Sequence, residues 1–132
     1  MKDVIFDNFQ NCVDESLIRH KSILDIITKL QESNARVNRA VVKAATSCGC
    51  TKITAEKQCL PSDDDAIENL KDCLKSHLSG EVCESCRDVI EREIGNNIFY
   101  LTALCSALDL NLYDILIKEY DKMNTLGKYT LR

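Results

Sequence analysis

The chain has 132 residues, 45% hydrophobic and 29% charged, which gives room for one core rather than two. A 5% aromatic content, a single Pro and four Gly disfavour a turn-dense β-sandwich or barrel and predict an all-α domain, an antiparallel bundle of four to five helices. Its 17 basic and 21 acidic residues leave a net charge of −4, which excludes the long-range positive field that gathers nucleic acid or anionic lipid.

The first residues, Met1 to Asp7, carry acids that interrupt any apolar run, so no secretory signal peptide is expected. No apolar run approaches the ~18 residues of a membrane span, and the chain reads as soluble and cytoplasmic. From Val4 to Cys48 there is no Gly or Pro, and apolar residues recur at helical spacing from Ile5 through Phe9, Val13, Leu17, Leu24 and Ile27 to Val41 and Ala45. One helix that long is unusual, so a break near His20-Lys21-Ser22 is predicted, with Ser22 capping the second helix.

Cys48-Gly49-Cys50 ends this pattern, and the aperiodic stretch to Pro61 reads as a loop or irregular arm. Ser62 and Asp63-Asp64-Asp65 read as the cap and solvated first turn of a short helix carrying Ile67, Leu70, Leu74 and Leu78, closed by Ser79-Gly80. After Glu81-Val82 and Cys83-Glu84-Ser85-Cys86 comes a strong helix with Val89, Ile90, Ile94, Ile98, Leu101, Leu104, Cys105 and Leu108. Asn111 caps a last helix, and Gly127 stops it.

Cys48-x-Cys50 and Cys83-x-x-Cys86 are two close thiol pairs, each at a junction of loop and helix. Short spacing within a pair lets two sulfurs meet one ion about 2.3 Å away, while the chain between pairs can have any length that folds back. The pattern therefore predicts a structural zinc held by Cys48, Cys50, Cys83 and Cys86, with Cys59 in reserve. A site closed by four thiolates leaves the metal no open position for catalysis. Inert thiols and a disulfide-cycling pair, Cys48 with Cys50, are the alternatives. Cys12, Cys73 and Cys105 lie at apolar helical positions and read as core. His20 and His77 stand apart from any nucleophile.

The segment Glu93-Ile94-Gly95-Asn96-Asn97-Ile98-Phe99-Tyr100-Leu101, followed by Leu104 and Leu108 to Leu112, resembles the second half of the MazG-type all-α nucleotide pyrophosphohydrolases, where the pattern is E-L-G-D-V-L-F-Y-L. Upstream, Leu30 to Ala40 is similar to the family's E-E-x-x-E-L-x-x-A helix. The resemblance covers the chain 1–132 as one domain, except for an inserted cysteine arm from Cys48 to Cys86. It implies a homodimer or higher homo-oligomer, and acids that hold magnesium for splitting pyrophosphate from a nucleoside triphosphate.

Five positions correspond to those acids: Glu32, Ser33, Arg36, Glu93 and Asn96. Only Glu32 and Glu93 are carboxylates, and Arg36 adds a positive charge, so the net charge there is −1. Magnesium needs carboxylates and is reluctant to shed its water, so such a remnant holds it feebly. No catalytic residue is assigned on this reading, and the expected function is that of a non-catalytic binding or regulatory scaffold. Arg36, Arg39 and Lys43 share a helix face and offer phosphate-binding groups for a nucleotide. A magnesium-dependent pyrophosphohydrolase using Glu32 and Glu93, with Asp88 or Glu91 recruited, is the alternative reading. A thiol redox sensor is the third.

Overall fold

The computed structural model describes residues 4–60, 67–130 and 132. Five helices dominate it: α1 (Val4–Ser16), α2 (Ile23–Lys43), α3 (Ile67–Cys73), α4 (Glu84–Ala107) and α5 (Leu112–Leu126). A π turn, Ala44–Cys48, extends α2, and a 3-10 turn, Gly127–Thr130, follows α5. The all-α fold expected from composition is present. The helix start read at Ser62 to Asp65 lies outside the described residues.

The break between the first two helices falls where the sequence marks it. Ser22 adopts an extended backbone and its Oγ accepts from the Leu24 amide at 3.3 Å, satisfying one of the donors a helix start leaves open. Asn111 caps α5 in the same way, its Oδ1 accepting from the Asp114 amide at 3.0 Å. At the other end of α5, Gly127 is the cap residue.

Helices α2 and α4 pack side by side along most of their length, and they run antiparallel: Cys48 meets Cys83 at one end, Ser33 meets Asn97 in the middle and Lys29 lies over Tyr100 further on. The core sits beyond the middle of this hairpin, away from the cysteines. There α1 lays Val13 against Ile26 and Ala103, each at most 1% exposed, with Phe9, Leu17, Phe99 and Leu104 around them. Full burial of a Val or Ile side chain stabilises by roughly 1.5–3 kcal/mol, so these few contacts hold α1 in place.

Gln10 completes the docking of α1. Its Nε2 donates to Ser106 Oγ and to the Leu110 carbonyl, each at 2.9 Å, and its Oε1 accepts from the Leu112 amide. One amide thus satisfies backbone groups at the corner where α4 ends and α5 begins. Among the described residues, no single helix is long and apolar enough to cross a membrane.

The arm between the cysteine pairs differs from its sequence reading. Residues expected to be irregular form β1 (Thr51–Ile53), and Leu78, expected on a helix, lies in β2 (Leu78–Gly80). The strands pair antiparallel, Thr51 opposite Gly80 and Ile53 opposite Leu78. Helix α3 stops at Cys73, five residues before Leu78, and His77 turns the chain at a φ of 61°. Leu74 and Leu78 satisfy helical spacing, but the left-handed residue between them ends any helix.

Two further expectations are corrected. Cys12 is exposed, because α1 turns Val13 rather than Cys12 to the core. Cys73 is neither core nor free: it forms a disulfide with Cys59, Cα atoms 5.7 Å apart, which ties the end of α3 to the strand side of the arm. Cys105 is buried, as expected.

Candidate metal centre

Four sulfurs converge where α2 and α4 meet at the cysteine end of the hairpin. Cys48 ends the π turn, Cys50 precedes β1, Cys83 is the N-cap of α4 and Cys86 lies in its first turn. Gly49, at a φ of 81°, closes the π turn and donates its amide to the Ala44 carbonyl at 2.9 Å, which reverses the chain between Cys48 and Cys50.

Gly80 matters at one remove. A Cβ on it would stand 2.6 Å from the Cys50 carbonyl oxygen, so the bare glycine lets β2 lie against the residue that carries one of the four sulfurs. The strand pair missing from the sequence reading thereby fixes the first cysteine pair relative to the second.

The Sγ atoms of Cys48, Cys50, Cys83 and Cys86 all lie within 4.8 Å of one another, and those of Cys48 and Cys83 are 3.7 Å apart. Four thiolates at tetrahedral corners about 2.3 Å from one ion stand roughly 3.8 Å from each other. The site therefore has the size for a single metal ion. A cluster of several irons with bridging sulfides needs its thiolates further apart. Among the described residues, this is the one group of three or more His, Cys, Asp or Glu side chains placed to share an ion.

The electrostatics of the free thiols point the same way. Cys83 is drawn down to about 7, first by the Cys86 backbone amide directed at its sulfur from 3.5 Å and then by the neighbouring thiols. This is the stabilisation a helix start gives an anion. Cys86 is pushed up to about 12, chiefly because Cys83 beside it ionises first. At Cys48 the Cys50 backbone amide favours the thiolate, but the net shift is upward, with Cys83 the leading opposing neighbour. Four thiolates this close repel one another, and a dication removes that obstacle.

Cys59, the reserve ligand, is committed to Cys73 and does not join the cluster. The arm has its own ties: Gln58 holds Lys75 by both ends, its Nε2 donating to the carbonyl at 2.7 Å and its Oε1 accepting from the amide at 3.0 Å.

The five positions matching the family acids are not gathered into a carboxylate site. Both Glu32 oxygens are occupied: Oε1 accepts from Arg36 Nε at 3.1 Å and Oε2 from Lys29 Nζ at 3.3 Å. Ser33 is buried and faces α4, where its Oγ accepts from Asn97 Nδ2 at 2.9 Å and donates to the Leu30 carbonyl. Asn97 also donates to Asn34 Oδ1. Asn96 is exposed. Arg36 pairs with Glu32, and Glu93 lines, opposite Arg36, the groove described next.

That groove runs between α2 and α4 and ends at the cysteines. It has a volume of about 420 Å³ and collects Arg36, Arg39 and Lys43 from α2 against Val89 and Glu93 from α4, with Cys48 and Cys86 at its end. The three cations expected to share a face do so. Their adjacency to the thiol cluster could not be read from helical spacing, because it depends on how α4 docks.

Compared with models of protein families, with curated proteins and with solved structures, the chain matches none.

Proposed function

We propose that this chain is a non-catalytic, MazG-like helical scaffold stapled by a structural zinc ion on Cys48, Cys50, Cys83 and Cys86, and that it works as a binding or regulatory module. The observation that carries the reading is the convergence of four sulfurs within 4.8 Å at the end of the α2–α4 hairpin. Soft thiolates in a tetrahedral set favour zinc, and with all four positions taken the ion serves structure rather than chemistry.

The MazG part of the reading rests on the sequence resemblance, and the helical hairpin is compatible with it. The loss of hydrolysis rests on charge. Glu32 is neutralised by Lys29 and Arg36, and Ser33 is spent on a buried contact with Asn97, so few oxygens are left to hold magnesium. The binding role rests on the groove, where Arg36, Arg39 and Lys43 give an anionic, phosphate-bearing ligand its counter-charges.

Metal analysis of gently purified protein tests the staple: close to one zinc per chain is expected, and folded protein with far less excludes it. Incubation with magnesium and a panel of nucleotides, assayed for pyrophosphate, tests the rest. No turnover is expected. Robust turnover abolished by Glu93→Gln would establish the pyrophosphohydrolase reading instead.

A further inference from the structure

We propose that Cys48 is a modification site: a hydroperoxide oxidises its sulfur, Cys83 closes on it as the resolving thiol, and the bond between them displaces the metal. The choice of sulfurs stands on geometry, and the release of the ion rests on the zinc staple proposed above.

Six cysteines are free, and exposure separates them: Cys105 is buried, Cys50, Cys83 and Cys86 are half-buried, and Cys12 and Cys48 are exposed. Oxidation needs a thiolate that the oxidant can reach. A cysteine on zinc is deprotonated whatever its ordinary tendency, so all four ligands meet the first condition. Cys48 alone among them meets the second in full. It also opens on the groove lined by Arg39 and Lys43, cations of the kind that keep a sulfur reactive as an anion.

A resolving thiol must lie close to the oxidised one. The Cys83 sulfur is 3.7 Å from that of Cys48. A disulfide of about 2.05 Å therefore needs a closure of only about 1.7 Å. Both sulfurs sit at helix ends, where the chain gives most easily: Cys48 is the last residue of the π turn, and Cys83 is the cap before α4. Cys12, the other exposed thiol, lies on α1 at the far end of the hairpin from this cluster.

The chemistry balances in two steps. The Cys48 thiolate attacks one peroxide oxygen, the O–O bond breaks, and a sulfenic acid forms as hydroxide or alkoxide leaves. The Cys83 thiolate then attacks that sulfur, forming the S–S bond and expelling hydroxide. The two sulfurs give up two electrons in all, and the peroxide takes them.

The ion thereby loses two of its four ligands. At about 100-fold in affinity per sulfur, the remaining pair, Cys50 and Cys86, holds it about 10⁴-fold less tightly. The hairpin stays closed, because the new bond joins the π turn after α2 to the start of α4, the two elements that the ion joined. One staple replaces another, and a peroxide is converted into a free metal ion.

The test uses the full zinc-loaded chain carrying Cys12→Ser, which removes the other exposed thiol. Hydrogen peroxide is added, zinc release is followed with a chromogenic chelator, and disulfides are located by peptide mapping without reductant. Zinc is expected to leave in step with the Cys48–Cys83 cross-link and with peroxide consumed, without loss of helical circular dichroism. A thiol reductant with added zinc should restore the loaded state. Cys48→Ser should lose both the cross-link and the release. If that variant does not load with zinc, a sulfenic acid reagent on the parent chain decides: label on Cys48 supports the site, and label confined to other cysteines overturns it. Zinc that stays bound in excess peroxide overturns the proposal, as does release with new disulfides confined to Cys48–Cys50 or Cys83–Cys86. Protein that carries no metal before oxidation removes the staple alone: there the Cys48–Cys83 bond still supports the modification site, and its absence overturns it.

Discussion

The sulfurs of Cys48 and Cys83 lie 3.7 Å apart at a sequence separation of 35, and the arm that separates them returns as a strand pair to bring them together. The cysteine end of the hairpin is thus closed by side chains, while the far end is closed by the α1 core.

Removing one sulfur is expected to weaken the metal site sharply. Structural zinc is held by about 10–16 kcal/mol over four ligands, so one ligand is worth about 3 kcal/mol, roughly 100-fold in affinity. Cys86→Ser should lower affinity by about that factor in a chelator competition assay, and Cys12→Ser, on the exposed side of α1, should leave it unchanged. Equal effects would show that the four cysteines do not act as a set.

Chelation should loosen one end of the molecule selectively. The amides of Thr51–Ile53 and Leu78–Gly80 are expected to exchange faster once the metal is withdrawn, because the strand pair leans on the π turn and the cysteines. Those of Ile26 and Ala103, buried in the distant core, should keep their protection. Hydrogen exchange with and without chelator reads this directly.

Glu32 supplies a pH dependence. Its carboxyl is held below the usual 4.5, first by the hydrogen bond from Arg36 and then by that from Lys29. The folded pKa lies below the unfolded one, so the stabilisation is present above the unfolded value and is lost as pH falls through the folded value. Carboxyl chemical shifts followed through acid titration should show this depression. Arg36→Gln should move the Glu32 midpoint back toward its ordinary value while leaving Glu119, which pairs with Arg132, low.

The Cys59–Cys73 disulfide closes a loop of 14 residues, for which the loop-entropy relation gives about 3 kcal/mol of stabilisation of the closed arm. Among the described residues, helix α3 packs only lightly on the other elements. A thiol reductant is therefore expected to raise amide exchange over Leu70 to Leu74 and to leave zinc content unchanged, as followed by exchange and metal analysis in parallel. Loss of metal on mild reduction would show that the two cysteine systems are coupled.

Much of this architecture was legible because it depends on local chemistry. Ser22 and Asn111 are helix caps whose action spans two or three residues, and the paired cysteines declare themselves by spacing. The strands were not legible: three residues each, without alternation, they exist because Gly80 tolerates the Cys50 carbonyl close by, a contact made across the arm. The Cys59–Cys73 pairing was hidden for the same reason. Cys73 sits at a helical apolar position, and nothing local distinguishes a thiol that packs from one that meets a distant partner. The half-exposed stripe of Ile94, Ile98 and Leu101 reads as core in sequence, since periodicity reports an apolar face without reporting how deeply it is buried.

Gln10 binds the α4–α5 corner across 96 to 102 residues of chain. Since α1 precedes that corner in the chain, it is synthesised well before the groups Gln10 binds, and of Val13's core partners Ile26 is made early and Ala103 much later. The apolar side of α1 can thus meet α2 before α4 exists, whereas the polar anchor that fixes its position is set only once α4 and the corner after it have been made.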